Sequence, residues 1–225
     1  MNTNISIILP YAGITGYNDE LVGNNEGDSV NNDQQSKQVL THRIVTWAKW
    51  FIKQEVSPGD ICVDATVGNG NDTLFLAECV GVSGKVYGFD IQQTAIEKTK
   101  KKLAAADLLD RVNLIQDNHA NLCEYLTKDS VKAVMFNLGY LPGGDTNLIT
   151  KPESTIQAIE AALYLLSQGG IITVASYRGH PGALEEYTKV NILLSKLNPI
   201  NFNVLRLESI NHAHLPPVLF VANKY

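Results

Sequence analysis

The stretch VDATVGNGNDT, Val63 to Thr73, decides the fold. An apolar run ends in Asp64, a turn carrying Gly68 and Gly70 follows, and a segment with helical spacing opens at Asn71 and Asp72. Strand, glycine turn and helix in that order mark the first unit of an open α/β sheet. A dinucleotide fingerprint places a third glycine three residues after the second, where this chain has Thr73. A Lys-Ser or Lys-Thr pair for a phosphate loop is also missing. The turn therefore lacks what seats a pyrophosphate.

Outward from this stretch, short apolar runs alternate with helical segments. The runs predict strands over Ile61–Thr66, Lys85–Asp90, Val112–Gln116, Val131–Asn137 and Gly170–Tyr177. The helices predicted between them cover Asp72–Val80, Gln92–Ala106, Ala120–Thr127 and Glu153–Ser167. Runs such as VKAVMFN and GGIITVASY are apolar throughout, as expected for strands covered on both faces. The expected fold is a Rossmann-like, doubly wound α/β domain with a mainly parallel sheet. A further helix near Leu184–Leu197 precedes FNVLRLESI and PVLFVANKY, which predict a C-terminal hairpin with one antiparallel strand. Upstream, QVLTHRIVTWAKWFIKQEV has apolar residues at mixed three- and four-residue spacing, an amphipathic helix stopped by Ser57-Pro58-Gly59-Asp60.

At 225 residues the chain suits one well-cored domain with an appended tail. Residues 1–37 are rich in Asn, Asp, Gly and Gln and are expected to form a flexible acidic tail, leaving the domain at 38–225. The net charge of −5 is unevenly spread: residues 1–40 carry −4 and the rest −1. A nearly neutral globular part still leaves room for a local basic face. An apolar run of about 18 residues, which a membrane span needs, does not occur. Cys62, Cys79 and Cys123 form no CxxC pair and are expected to be reduced thiols in a cytoplasmic protein. No strong metal signature appears; His212-x-His214 has no nearby Cys or acid partner in sequence.

In a doubly wound sheet, ligands bind beyond the carboxyl ends of the strands. The glycines of the Thr66–Asn71 loop, Gly68 and Gly70, would let backbone approach a ligand closely. A cofactor with an adenosine and no phosphate fits this turn, and S-adenosylmethionine is the expected one. Asp64 is placed to fix the turn and to help receive an ammonium. Asp90 ends the second strand, 20 residues after Gly70, where a carboxylate can take both ribose hydroxyls. Asn118 and His119, just past the third strand, are placed to meet the adenine. The bland alternative is that such acids only stabilise turns. Two at this spacing around a glycine turn favour a ligand.

DATVGNGNDTLFLA, FDIQQTAIEKTKKKL, FNLGYLPGGD and SYRGHPGA resemble a family of class I methyltransferases first described as rRNA methylases. The resemblance runs from about Gln38 to the C-terminus. It implies a cofactor pocket lined by residues matching Asn69, Asn71 or Asp72, Asp90, Gln92, Asn118 and His119. It also implies methylation of the aminomethyl group of 5-aminomethyl-uridine at the tRNA wobble position. NLGY, Asn137 to Tyr140, resembles the Asn-Pro-Pro-Tyr signature of amino methyltransferases, with Leu138 and Gly139 in place of the prolines. In that arrangement Asn137 accepts a hydrogen bond from the target N–H, and Tyr140 stacks against the base. Asp145 would attract the aminomethyl cation. A tight glycine loop alone explains Gly139, Pro142, Gly143 and Gly144, but not the Asn and the Tyr.

The densest basic run, KTKKK over Lys98–Lys102, reads as a solvated helix face. The expected partner is tRNA at its anticodon stem-loop, gripped by the domain's own loops or by a homodimer, with no DNA and no membrane. Methylation of rRNA or of a small-molecule amine is the alternative, and a non-catalytic cofactor-binding protein the remaining class.

Overall fold

The structure, a computed structural model, describes residues 44–139, 150–179, 181–211 and 215–225. The expectations for the tail over 1–37, for Tyr140 and Asp145, and for His212 and His214 lie outside the described residues.

Helix α1 (Ile44–Glu55) leads into strand β1 (Ile61–Asp64) and helix α2 (Asn71–Cys79). Strand β2 (Lys85–Phe89), helix α3 (Gln93–Ala105) and strand β3 (Val112–Ile115) come next. The single-turn helix α4 (Leu122–Tyr125), strand β4 (Val131–Leu138), helix α5 (Pro152–Leu165) and strand β5 (Leu166–Ser176) follow. Helix α6 (Ala183–Ser195) and the hairpin of β6 (Phe202–Glu208) and β7 (Val218–Lys224) complete the chain.

The strands form one seven-stranded sheet in the order β3-β2-β1-β4-β5-β7-β6. β1 pairs in parallel with both β2 and β4, while β7 pairs antiparallel with β5 and β6. The expected parallel sheet with one reversed strand is what forms. Because β1 sits between β2 and β4, the winding reverses there, and the C-terminal ends of β1 and β4 open a crevice.

Alternation along the strands sends neighbours to opposite faces, and both faces are covered. Val63, Val134 and Phe136 pack with Ile159 of α5 and Val190 of α6. Cys62, Ala133 and Met135 pack on the other face with Ala48 and Ile52 of α1 and Leu76 of α2. Burying each large apolar chain stabilises the fold by roughly 1.5–3 kcal/mol. Among the described residues no helix is long and apolar enough to cross a membrane.

Three elements depart from the sequence expectation. β1 ends at Asp64 instead of Thr66, because the Asp64 carboxylate accepts the Thr66 N–H at 3.1 Å and bends the chain. The fourth helix shrinks to a 3-10 turn, His119–Asn121, and the one-turn α4. There Asp117 accepts hydrogen bonds from Asn118 N, Asn121 Nδ2 and Tyr125 Oη, and that closes the segment into a compact knot. β5 begins at Leu166, four residues early, and the register with β4 shifts between Val131 and Ala133 to accommodate the extra length.

Candidate active site

A cavity of about 1380 Å³ opens at the C-terminal edge of the sheet. The β1 and β2 ends supply one side of its lining with Gly68, Asn69, Asn71, Asp72, Asp90 and Gln92. Asn118 and His119 join them from the turn after β3. The β4 and β5 ends supply the other side with Asn137, Leu138, Gly139, Tyr177 and Arg178. Ile44 and Lys49 of α1 and Leu215 and Pro217 before β7 complete its rim. Pockets for small molecules typically span ~300–1000 Å³, so this one has room for a cofactor and an acceptor together.

The glycine turn is held from within. Asp64 is 1% exposed and lies behind the lining. Its two carboxylate oxygens accept from the Thr66 N–H and, at 2.6 Å, from the Thr73 hydroxyl. Burial pushes its carboxyl well above the usual range, and the nearby charge of Asp72 adds to the rise. The role expected for Asp64 in receiving an ammonium is therefore not supported, since its oxygens are turned inward onto the turn. Gly70 is likewise buried behind the lining. It caps α2 at φ 74°, and a Cβ there would come within 2.5 Å of the Thr99 hydroxyl. Close approach of α3, not of a ligand, demands this glycine. Thr73, where a fingerprint glycine would stand, is the Asp64 partner instead.

Asp90 accepts the Gly68 N–H at 2.8 Å on one oxygen and the Gln92 N–H at 2.9 Å on the other. An ionised carboxylate offers about four lone-pair sites, so two remain for a pair of hydroxyls. Asn118 spends its side-chain oxygen on the Ala120 N–H, capping the 3-10 turn. His119 does not cap; its Nδ1 lies 3.0 Å from the Ala65 carbonyl and its ring meets Phe136 edge to face. Burial lowers its imidazole below the ordinary value. The ring is neutral, with the proton on Nδ1 facing the carbonyl and Nε2 left as an acceptor.

On the acceptor side, the Asn137 N–H donates to the Thr66 hydroxyl at 2.8 Å, tying the end of β4 to the end of β1. The Asn137 Nδ2 donates to the Asp72 carboxylate, and its buried Oδ1 has no partner in the structure. Leaving a buried acceptor unpaired costs about 1–3 kcal/mol, so this oxygen is poised for a donor on a ligand. Gly139 is at φ 136° and is fixed by a two-way bond with Thr150. The Thr150 hydroxyl accepts the Gly139 N–H and donates its own hydrogen bond to buried Glu186, to which the Thr155 hydroxyl also donates. Arg178, whose side chain is 7% exposed, pairs with Glu208 at 2.5 Å and donates twice to the Pro216 carbonyl. It holds the segment before β7 against the cavity and is an internal strut.

Two features escaped the sequence. Lys49 of α1 reaches the Asp72 carboxylate at 2.9 Å and the Asn71 carbonyl at 3.1 Å. A lysine inside the aromatic run WAKWF was the available signal. The KTKKK run is also not merely a solvated face. Lys98 donates to the Asn69 side chain at 2.6 Å, and Lys102 to the Asn69 carbonyl at 3.0 Å and the Asn71 side chain at 2.5 Å.

Comparison with known proteins agrees with this geometry. A family model described as "Putative rRNA methylase" matches residues 86–223. The crystal structure of a "putative rRNA-methylase" from Clostridium thermocellum is 50% identical, with a TM-score of 0.78 over 80% of this chain and 97% of that one. A "putative methyltransferase" from Streptococcus mutans, solved in complex with SAH, is 34% identical, with a TM-score of 0.74 over 81% of this chain and 98% of that one. The "tRNA (mnm(5)s(2)U34)-methyltransferase, chloroplastic" of Arabidopsis thaliana is 36% identical over 178 residues, or 75% of this chain. The match spans 65% of that relative's length. The extent of the family match and the likeness to the clostridial structure place the chain in the family described as "Putative rRNA methylase", which has the class I methyltransferase fold.

Proposed function

We propose that this protein methylates the aminomethyl nitrogen of 5-aminomethyl-(2-thio)uridine at the wobble position of tRNA, in the cytoplasm. Its cofactor is S-adenosylmethionine. The residues present fit that cofactor: Asp90 retains acceptor capacity in the lining, and the Gly68 backbone borders the same space. When bound, the cofactor supplies an electrophilic methyl group on a sulfonium.

The observation that carries the acceptor assignment is the unpaired Asn137 Oδ1 at the end of β4. An amine N–H donated to that oxygen leaves the nitrogen lone pair free to point elsewhere. Such an amine must arrive neutral, because a protonated one has no lone pair to give. Tyr177, 37% exposed on the cavity wall, offers an aromatic face for an unstacked base. The anticodon loop makes unstacking a wobble base inexpensive. The relative from Arabidopsis thaliana bears the name of this reaction and supports the reading.

The test is transfer of labelled methyl to a synthetic anticodon stem-loop carrying 5-aminomethyl-uridine at the wobble position, beside the same stem-loop carrying uridine. Label in the first and none in the second is the expected result. Equal labelling of both would move the target to another atom. Label in neither, with cofactor bound, would move it to rRNA or to a small-molecule amine.

A further inference from the structure

We infer that Asp72 is a positioning residue for the acceptor rather than a ligand of the cofactor: balanced by Lys49, it locks the Asn137 amide so that only its oxygen is offered to the incoming amine. This inference rests on the acceptor reading above and adds the device that sets it.

Three side chains from three elements form the device. Asp72 lies in the first turn of α2, Lys49 on α1 and Asn137 at the end of β4. Asp72 is 8% exposed, and Lys49 stands 2.9 Å from one of its oxygens. Its other oxygen accepts from Asn137 Nδ2. An ionised carboxylate only accepts, so the amide must turn its NH₂ toward Asp72. The opposite end of the amide, Oδ1, then has one orientation, and it is the end left buried without a partner. A free asparagine could rotate by 180° and present a donor, which would compete for the amine lone pair. Asp72 excludes that rotamer.

Lys49 contributes in a second way. A buried carboxylate without a counter-charge is expensive, and the ammonium supplies that charge from α1. The same ammonium also grips the Asn71 carbonyl at 3.1 Å and lies 5.2 Å from the Phe75 ring centroid. Helix α1 thereby completes a site whose other parts sit on the sheet edge. The plainer reading is that Asp72 merely stabilises the N-terminus of α2. That reading gives no reason for the bond to Asn137 or for the orphaned oxygen beyond it.

The test uses the full chain with Asp72→Asn, Lys49→Met, Asn137→Ala and the double variant Asp72→Asn/Asn137→Ala. The first readout needs no activity. In a ¹⁵N spectrum, the side-chain amide pair that vanishes in Asn137→Ala should move in Asp72→Asn and in Lys49→Met. The second is calorimetric affinity for SAH, expected within about threefold of wild type in both variants. The third is single-turnover methyl transfer. Misplacing a reacting group can lower rate by about 100-fold, so Asp72→Asn should fall by roughly 10- to 100-fold. Because Asp72 acts through Asn137, the double variant should be no slower than Asn137→Ala alone.

An SAH affinity lowered tenfold or more in Asp72→Asn would make Asp72 a cofactor ligand and overturn the inference. So would single-variant effects that multiply in the double variant, or an unmoved amide pair. If Asp72→Asn fails to fold, Lys49→Met decides by the same three readouts, with a smaller rate loss expected. A wild-type protein inert toward the aminomethyl RNA would sink the acceptor reading instead, and the amide signals and SAH affinity would still judge the lock.

Discussion

Lys98 on α3 places its ammonium 2.6 Å from the side-chain oxygen of Asn69, so the most basic run of the chain reaches the glycine turn at its first lysine. With Lys102 on the Asn69 carbonyl and the Asn71 side chain, α3 clamps the loop that borders the cavity. Each such bond, partly exposed, contributes about 0.5–1.5 kcal/mol. Replacing both lysines by alanine should therefore weaken SAH binding by about 3- to 10-fold. The salt dependence of RNA binding separates this from phosphate contact. Two lost phosphate contacts would lower the log–log slope by nearly 2, whereas a clamp predicts a change below about 1.

Gly70 is the tightest point of the turn. Its positive φ disfavours any Cβ by about 1–2 kcal/mol, and overpacking adds roughly 1–3 kcal/mol. Gly70→Ala should destabilise the domain by a few kcal/mol on this basis. The clash is with Thr99, at 2.5 Å from its hydroxyl and 2.8 Å from its methyl. Chemical denaturation should show the Gly70→Ala/Thr99→Ala pair to be less destabilised than the sum of the single changes. Strict additivity would mean that only backbone strain matters.

The buried Asp64 gives the stability a pH signature. Burial raises its carboxyl to about 7 from an ordinary 3.8. A folded pKa above the unfolded one means the group favours folding fully at low pH and loses that contribution as pH rises. The window runs from about 4 to about 7, and each tenfold difference in acidity between the folded and unfolded states is worth about 1.4 kcal/mol at most. His119 acts with the opposite sign in an overlapping window: its lowered pKa leaves stability intact above about 6.5 and erodes it as pH falls below that. Asp64→Asn removes the first group only. The stability of this variant relative to wild type should rise between pH 4 and 7, measured by denaturant titration at each pH. A flat difference would contradict the assignment.

The two sides of the cavity should separate by function. Asp90→Ala removes the carboxylate that holds Gly68 and Gln92 and faces the β2 side. SAH affinity should drop by at least tenfold, on the order expected for losing hydrogen bonds to a charged group. Asn137→Ala should leave that affinity within about threefold and lower single-turnover transfer by roughly 10- to 100-fold. Equal loss of SAH binding in both variants would erase the division.

Much of this was legible in the sequence because it depends on local pattern. Apolar runs covered on both faces announced VKAVMFN as a central strand, and the positions of Asp90 and Asn137 at strand ends followed from that alone. What the sequence left out has a different cause: each contact depends on which helix lies over which loop. Asp64 and Asp72 are both acids flanking a glycine turn, and nothing local shows that Thr73 seals the first while Asn137 and Lys49 take the second. Gly70 looked like room for a ligand, but the room is filled by Thr99 from α3. The lysines of KTKKK had the spacing of a solvent face, and only the packing of α3 beside the turn gives Lys98 and Lys102 their partners. The short α4 reflects a competition that propensity does not weigh, between helical continuation and the three bonds to Asp117.

The central claim is the reaction, and nucleoside mass analysis reaches it most directly. Bulk tRNA from cells lacking this modification would be incubated with the protein and labelled S-adenosylmethionine, digested, and its nucleosides weighed. A gain of one methyl on 5-aminomethyl-uridine, absent with Asn137→Ala, is the predicted result. Label on any other nucleoside, or on the small-molecule fraction alone, would contradict the account.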